Sequence, residues 1–224
     1  MWRGQQMLAC GEHLRQEKLI APNTSNRYAH WEHEHVHRTI RRGASTALQP
    51  LPVKVSAEPI NPQVRIGHIH LKVSDLERSL DFYCGVLGFV LMQRWGTEAA
   101  FISAGGYHHH IGLNTWESLG GSPPPSGATG LFHAAILYPS RAALGDALRR
   151  LIAAKIPLEG ASDHGVSEAL YLHDPDQIGL ELYWDKPQSS WPRSPEGNIT
   201  MYTRPLDLEA LQREGVTASG EASR

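Results

Sequence analysis

The chain has 224 residues, of which 41% are hydrophobic and 20% charged, a balance that is ordinary for a water-soluble protein with one or two cores. Lys and Arg number 21 against 23 Asp and Glu, so the formal net charge is -2 and no broad basic field exists that would attract nucleic acid or an anionic membrane. We therefore expect a small-molecule partner, and neither nucleic acid nor membrane.

The chain contains two cysteines, Cys10 and Cys84, which form no recognisable disulfide framework. No stretch approaches the roughly 18 to 20 consecutive apolar residues that a membrane-spanning helix needs, and the N-terminus lacks the apolar core of a secretory signal. Together these features predict a cytoplasmic protein in a reducing compartment. The 13 histidines are the unusual feature, because histidine is most useful at metal sites and in proton transfer.

Residues 1–62 differ from the rest of the chain, with mixed charge and little apolar periodicity. Prolines at positions 50, 52, 59 and 62 are typical of a linker, so we predict a flexible N-terminal extension and linker over residues 1–62. The histidine-rich run at residues 30–37 is either a metal-binding tract or an ordinary polar tract. Short runs of this kind mostly bind metal weakly, so we prefer the second interpretation.

Periodic structure begins at Ile66 with a β-rich run that ends at Val73. Ser74 and Glu77 form a capping box that predicts the start of a helix, and Gly88 is placed to end it. The helix carries apolar residues at helical spacing, namely Leu76, Leu80, Tyr83 and Leu87. Strand-like runs follow around 89–95, 99–103 and 108–116, which gives the order β-α-β-β-β for residues 65–116.

The same order returns over residues 130–185, after a segment that contains three consecutive prolines. A strand-like run begins at His133, Ser140 caps a helix, and the last strands lie near 169–173 and 178–184.

This internal repeat predicts an α+β fold. Two tandem βαβββ modules, within a domain that spans residues 63–187, form one open eight-stranded barrel-like sheet, because neither half can cover its own concave face. Residues 188–224 are predicted to form a C-terminal tail with a short helix near residues 206–213.

Equivalent positions of the two modules are expected to face each other across the sheet. His68 and His133 open the two modules, and Glu181 lies on the last strand of the second. Where they converge, two imidazoles and one carboxylate form a ligand set that suits Fe(II) or Mn(II) and leaves positions open for substrate. The sequence therefore predicts a divalent metal site surrounded by the sheet.

Residues 67–83 resemble the opening signature of the vicinal oxygen chelate superfamily, which includes glyoxalase I, bleomycin-resistance proteins and extradiol dioxygenases. Three further segments resemble its catechol 2,3-dioxygenase-like branch: residues 107–110, 163–167 and 174–176. The resemblance covers roughly residues 65–187. It implies an extradiol dioxygenase that cleaves the ring of a small catechol-like aromatic with dioxygen, with Fe(II) as the expected metal and Mn(II) or another divalent ion as the alternative.

The resemblance also implies individual site residues. It selects His68 over His70 as the ligand on the opening strand, and it matches His133 and Glu181 to the other two ligands. His164, in a loop flanked by glycine, resembles the second active-site histidine of the family.

Ring cleavage needs a group that removes a proton from a substrate hydroxyl and later returns it, which histidine can do near neutral pH. The resemblance points to His109, whereas strand alternation places His110 on the same face as Asn114. We prefer His109, turned inward by a bulge, and keep His110 open. His173 occupies the place where related enzymes have an acid-base tyrosine, and the alternative for it is an outward-facing strand residue.

The residues expected to line the substrate pocket are Tyr107, Asn114, Trp116 and Tyr171, although aromatic residues are more often part of a core. Asn114 corresponds in the repeat to Glu181, at the position where glyoxalase I has a fourth protein ligand, so the site keeps three. Two other functions stay in view. One is a glyoxalase-type metal-dependent lyase or isomerase, and the other is a non-catalytic module that binds an aromatic ligand. A homodimer is left open.

Overall fold

The computed structural model describes residues 58–221, and from Ile60 onward these belong to one compact unit, Ile60–Arg224. The predicted extension and linker, with its histidine-rich run, lies almost wholly outside the described residues and stays a prediction. No helix in the described range is long and apolar enough to cross a membrane.

The first module consists of one helix and four strands in the predicted order. Asp75 starts the helix, because its side chain accepts a hydrogen bond from the Arg78 N–H at 3.1 Å, and Gly88 follows its end with φ +88°. The elements are β1 (Ile69–Lys72), α1 (Leu76–Leu80) continued by a π-helical turn (Asp81–Val86), β2 (Val90–Trp95), β3 (Ala99–Ser103) and β4 (Ile111–Asn114).

The second module repeats this plan. Its helix begins after Ser140, whose hydroxyl accepts a hydrogen bond from the Ala143 N–H at 3.1 Å. The elements are β5 (Ala134–Leu137), α2 (Arg141–Ala153), β6 (Gly160–Asp163), β7 (Ser167–His173) and β8 (Gly179–Asp185).

Backbone hydrogen bonds divide the described strands into two mixed sheets, so the expectation of one eight-stranded sheet is not confirmed. The first sheet has four strands in the order β1-β4-β3-β2, and the second has five in the order β5-β8-β7-β6-β9. In each, the opening strand runs parallel to the closing strand and the other pairs are antiparallel.

The segment after β8 contributes the fifth strand of the second sheet. It contains a short 3₁₀ turn at Gln188–Ser190, then β9 (Arg204–Pro205), which pairs with β6, and finally α3 (Leu208–Glu221). The sequence predicted a tail with a helix near residues 206–213, and the helix in the structure extends further. Gly145 and Gly215 let α2 and α3 approach closely, because a Cβ on either would collide with the backbone of the other helix.

One hydrophobic core joins the two modules. Leu80 and Leu113 of the first module and Leu148 and Leu182 of the second are all buried members of the same cluster. Leu211 of α3 is fully buried in it as well. Burial of this apolar surface is the main favourable contribution to folding, so neither module is expected to keep its core without the other.

A buried polar contact also connects the modules at the turn before β8. The Tyr83 hydroxyl donates to Asp174 Oδ2 at 2.9 Å, and Asp174 Oδ1 accepts from the N–H groups of Asp176 and Ile178. Asp176 in turn accepts from the Ser74 hydroxyl at 2.6 Å. Burial raises the pKa of the Asp174 carboxyl and, still more, that of the Tyr83 hydroxyl.

We expect Tyr83→Phe to destabilise the protein by about 1–3 kcal/mol, because it leaves a buried carboxylate oxygen of Asp174 without a donor. The penalty should shrink as the pH falls through the pKa of Asp174, since a protonated carboxyl needs the donor less. Urea unfolding at neutral and acid pH measures both effects.

Tyr138→Phe is the matched control, because the Tyr138 hydroxyl makes no hydrogen bond with residues 58–221. Equal losses of stability in the two variants would show that the contact with Asp174 contributes nothing.

Candidate active site

Strand pairing in the second module brings His133 and Glu181 together. β5 and β8 are parallel, and His133 lies just before β5 on the face that Ala135 shares with Glu181. Gly179 leaves room for this approach, because a Cβ there would collide with the Phe132 carbonyl. His133 Nε2 lies 3.0 Å from Glu181 Oε2, and both side chains are partly buried.

This separation fits a shared metal ion. Two ligand atoms that are each about 2.1 Å from one ion and at a right angle to each other lie about 3 Å apart. Imidazole nitrogen and carboxylate oxygen are also donors that divalent transition metals accept. The chemistry and the spacing of this pair are therefore suited to a metal.

A chain of hydrogen bonds extends from Glu181 away from His133. Tyr171 on β7 is the antiparallel partner of Glu181, and its hydroxyl donates to Glu181 Oε1 at 2.9 Å. His164 Nε2 lies 2.8 Å from the Tyr171 hydroxyl oxygen. Burial, with the hydrogen bond to Glu181 and its negative charge, raises the pKa of Tyr171 to about 12.

The first module holds a separate group of histidines. The ring centroids of His68 and His109 are 4.4 Å apart, and His109 also contacts Phe101 at 5.1 Å. Burial and the neighbouring rings, His68 first among them, lower the pKa of His109. A neutral imidazole at this position is able to accept a proton.

His110 points elsewhere. Its Nδ1 lies 3.0 Å from the Ser103 hydroxyl and accepts the Ala104 N–H at 3.3 Å. The argument from strand alternation does not apply to His109 and His110, because β4 begins only at Ile111. Of the two candidates, the structure places His109 beside His68.

Two residues of β7 differ from their expected roles. His173 Nδ1 bonds Glu159 and does not take part in the hydrogen-bond chain described above. Tyr171, which the sequence assigned only to the substrate pocket, is a member of that chain. The hairpin register could have found it, because β7 and β8 flank a turn at residues 174–178, and residues equally far from its centre at Asp176 lie opposite each other.

The other expected pocket residues all lie in the first module. Tyr107 is exposed and packs against the rings of His108 and His110. Trp116 lies 5.6 Å from the His70 ring. Asn114 is buried, and its side-chain oxygen accepts a hydrogen bond from the backbone N–H of Trp116 at 3.2 Å.

The three predicted ligands thus fall into two groups, with His68 in the first module and His133 with Glu181 in the second. Within residues 58–221 no three His, Cys, Asp or Glu side chains stand close enough together to hold a metal ion. The full ligand set stays a prediction.

A sequence model of the glyoxalase/bleomycin resistance protein/dioxygenase superfamily matches residues 65–182, which include the first module and all of the second except the last three residues of β8. The chain belongs to this superfamily. Among its relatives, a catechol-2,3-dioxygenase of Bacillus subtilis is 44% identical over 155 residues, which are 69% of this chain and 53% of the relative. The chain therefore spans about half the length of that superfamily member.

Two further matches share less sequence with this chain. Biphenyl-2,3-diol 1,2-dioxygenase 2 of Rhodococcus globerulus is 32% identical over 54% of this chain and 63% of its own length. The crystal structure of a glyoxalase/dioxygenase from Nostoc punctiforme is 20% identical, with a TM-score of 0.48 over 58% of this chain and 98% of that one.

The hydrogen bond between Tyr171 and Glu181 can be tested by titration of the metal-free protein. We expect Tyr171 to stay protonated between about pH 9 and 10.5, where an ordinary tyrosine begins to ionise. Glu181→Gln removes the negative charge that holds the proton, so the pKa of Tyr171 should fall. The Cζ chemical shift of Tyr171, assigned from its loss in Tyr171→Phe, reports the ionisation.

Glu159→Gln serves as the control for this titration. The Glu159 carboxylate contacts His173, so its removal should leave the pKa of Tyr171 unchanged. A Tyr171 signal that titrates identically in wild type and Glu181→Gln would contradict the assigned contact.

Proposed function

We propose that the protein is a divalent-metal-dependent extradiol dioxygenase that cleaves the ring of a catechol-like aromatic, with Fe(II) as its metal. One observation carries the proposal: a histidine–carboxylate pair with the spacing of metal ligands is connected through Tyr171 to His164. A metal ligand pair and an acid-base group in one hydrogen-bonded unit suit a reaction that needs both. The similarity to a catechol-2,3-dioxygenase supports the same chemistry.

In this proposal His133, Glu181 and His68 bind the metal. Glu181 uses Oε2, which faces His133, because Oε1 accepts the hydrogen bond from Tyr171. When bound, the metal supplies Lewis acidity that lowers the pKa of a coordinated substrate hydroxyl, and a place for dioxygen. The Nε2 atom of His133 must be unprotonated to act as a ligand.

The acid-base work falls to two groups, one in each module. His109 has a lowered pKa and so is neutral and able to accept the proton of a substrate hydroxyl. His164 and Tyr171 form a second unit, which holds a proton at the Tyr171 hydroxyl close to Glu181. One group removes a proton while the other can return one.

The contacts of Asn114 favour a dioxygenase reaction over a reaction of the glyoxalase type. Its side-chain oxygen already accepts a hydrogen bond from the backbone N–H of Trp116, and the side chain is buried in the first module. It therefore does not offer the fourth protein ligand. Three protein ligands leave more positions for substrate and dioxygen.

Tyr107 and Trp116 are exposed aromatic side chains in the same module as His68 and His109. Flat aromatic surfaces next to the histidines suit a flat aromatic substrate, since ring pairs attract each other when offset or edge-on. We propose that these residues contact the ring of the substrate.

Single substitutions test the ligand set. Because each ligand is needed for a site of useful affinity, His68→Ala, His133→Ala and Glu181→Ala should each lose the stoichiometric iron or manganese that wild type binds under anaerobic conditions. Metal analysis by atomic spectroscopy after gel filtration measures the occupancy. His173→Ala should keep its metal, because that ring bonds Glu159 instead.

A variant among the three that retains stoichiometric metal would exclude its residue as a ligand. Circular dichroism of each variant shows whether loss of metal is accompanied by unfolding.

Activity tests the acid-base assignment. At equal iron occupancy, His109→Ala and His164→Ala should still bind a catechol but lower turnover by roughly 10²–10⁴, the range for a lost acid-base group. Oxygen uptake and formation of the yellow ring-fission product measure turnover. Full activity in His109→Ala together with an inactive His110→Ala would reverse the choice between those two histidines.

The same assay separates an enzyme from a binding module. If iron-loaded wild type binds catechols but consumes no oxygen with any of a broad panel, the proposed activity is wrong and a sequestering role replaces it. In that case the histidine substitutions would change ligand affinity alone.

A further inference from the structure

The chain beyond the family match passes over the turn between β6 and β7. We name residues 186–205 the C-terminal strap. Tyr202 of the strap contacts His164 twice: its N–H donates to the His164 carbonyl at 3.3 Å, and its own carbonyl lies 3.1 Å from His164 Nδ1. The strap therefore meets both the backbone and the ring of the histidine that contacts Tyr171.

The strap fits closely over Gly165, the residue after His164. A Cβ at Gly165 would lie 2.7 Å from the Tyr202 ring and 2.8 Å from the Pro192 ring. Glycine is also favoured there because φ is +80°. No larger residue fits without displacement of the strap.

Both ends of the strap are attached to the second sheet. At its start, the Lys186 ammonium lies 2.7 Å from the Asp163 carboxylate, and the Lys186 N–H donates to the Val166 carbonyl. At its end, β9 pairs with β6, with Arg204 opposite Asp163. The Arg204 guanidinium also lies 4.2 Å from the centre of the Tyr202 ring. These contacts hold Tyr202 against His164.

Hydrogen-bond chemistry constrains the His164 ring. A carboxylate only accepts, so the Tyr171 hydroxyl must donate to Glu181, and its oxygen is then free to accept from His164 Nε2–H. A protonated Nδ1 donates to the Tyr202 carbonyl. An unprotonated Nδ1 can accept from the Thr203 hydroxyl, which lies 3.3 Å away.

We propose that the C-terminal strap is part of the active site and that Tyr202 and Thr203 are positioning residues for His164. The strap keeps Nε2 directed at Tyr171 and offers Nδ1 a partner whether or not it carries a proton. His164 can then gain and lose a proton with no rotation of its ring. This inference rests on the proposed dioxygenase function, and its residues lie outside the range 65–182 that the superfamily match covers.

The first test is a matched pair of glycine substitutions in the full chain. Gly165→Ala adds a methyl group that collides with the strap, whereas Gly127→Ala, in the loop between the two modules, adds one in the same left-handed conformation, φ +83°, with nothing within 4 Å. Both variants carry the backbone strain, so their difference isolates displacement of the strap. Ring ¹⁵N chemical shifts of His164, assigned from their loss in His164→Asn, report its position and protonation.

We expect Gly165→Ala to shift both ring nitrogens of His164 and to lower kcat by about 10- to 100-fold at equal iron occupancy, the loss typical of a misplaced catalytic group. KM should change little, because the strap does not contact the ligand pair. Gly127→Ala should match wild type in both measurements.

Thr203 provides a second test that does not disturb the backbone. Thr203→Val removes the donor but keeps the shape, so the Nδ1 chemical shift of His164 should change and kcat should fall. Thr203→Ser should restore both. Thr97→Val, in the turn between β2 and β3, is the control, since the Thr97 hydroxyl has no hydrogen bond within the described residues.

The outcomes separate this inference from the proposed function. Unchanged His164 signals in Gly165→Ala and in Thr203→Val would overturn it, as would equal changes in Gly127→Ala. Shifted signals with undiminished turnover would overturn the positioning role while the dioxygenase activity stands. If the His164 signals shift in the variants but the wild type consumes no oxygen, the contacts that position His164 are supported and the proposed reaction is rejected.

Discussion

The pairing of β5, β8 and β7 is the constraint on which the candidate site depends. It places His133, Glu181 and Tyr171 on one face of the second sheet, with Glu181 within hydrogen-bond distance of each of the other two. A register shift of one residue would turn each side chain to the opposite face. Gly179 protects this register, because any side chain there would collide with the backbone before His133. The His133–Glu181 pair is thus positioned by main-chain hydrogen bonds, which tolerate changes of neighbouring side chains.

The register of β8 is connected to the first module through the turn that precedes it. Asp174 and Asp176 accept hydrogen bonds from Tyr83 and Ser74, so the strand that carries Glu181 starts from a point held by the helix of the other module. Buried polar contacts of this kind specify one arrangement more strongly than apolar packing does, because an unpaired buried carboxylate is costly. This explains how a site whose histidines come from both modules could keep a constant geometry.

The segment after β8 fixes the position of His164, the residue proposed for proton transfer, through similar contacts. Its strap covers Gly165 and bonds His164, while α3 packs on α2 through Gly145 and Gly215. The family match stops at residue 182, yet the hydrogen-bond chain that begins at His133 ends on Tyr202.

Sequence alone was sufficient for the repeat, the two βαβββ modules, the Ser140 cap and the superfamily, because periodicity, capping residues and a local signature act over short distances along the chain. It placed the cap of the first helix at Ser74, one residue before Asp75, which caps it in the structure. It also singled out His133 and Glu181 through residue type and position in the repeat, and His164 through the family resemblance. It did not show that the strands form two sheets, that Tyr171 faces Glu181, that His109 lies beside His68, or that Tyr202 holds His164. Each of these depends on which strands pair and where the C-terminal segment packs. The free energies that decide such contacts come from residues far apart in the chain, and no local pattern encodes them.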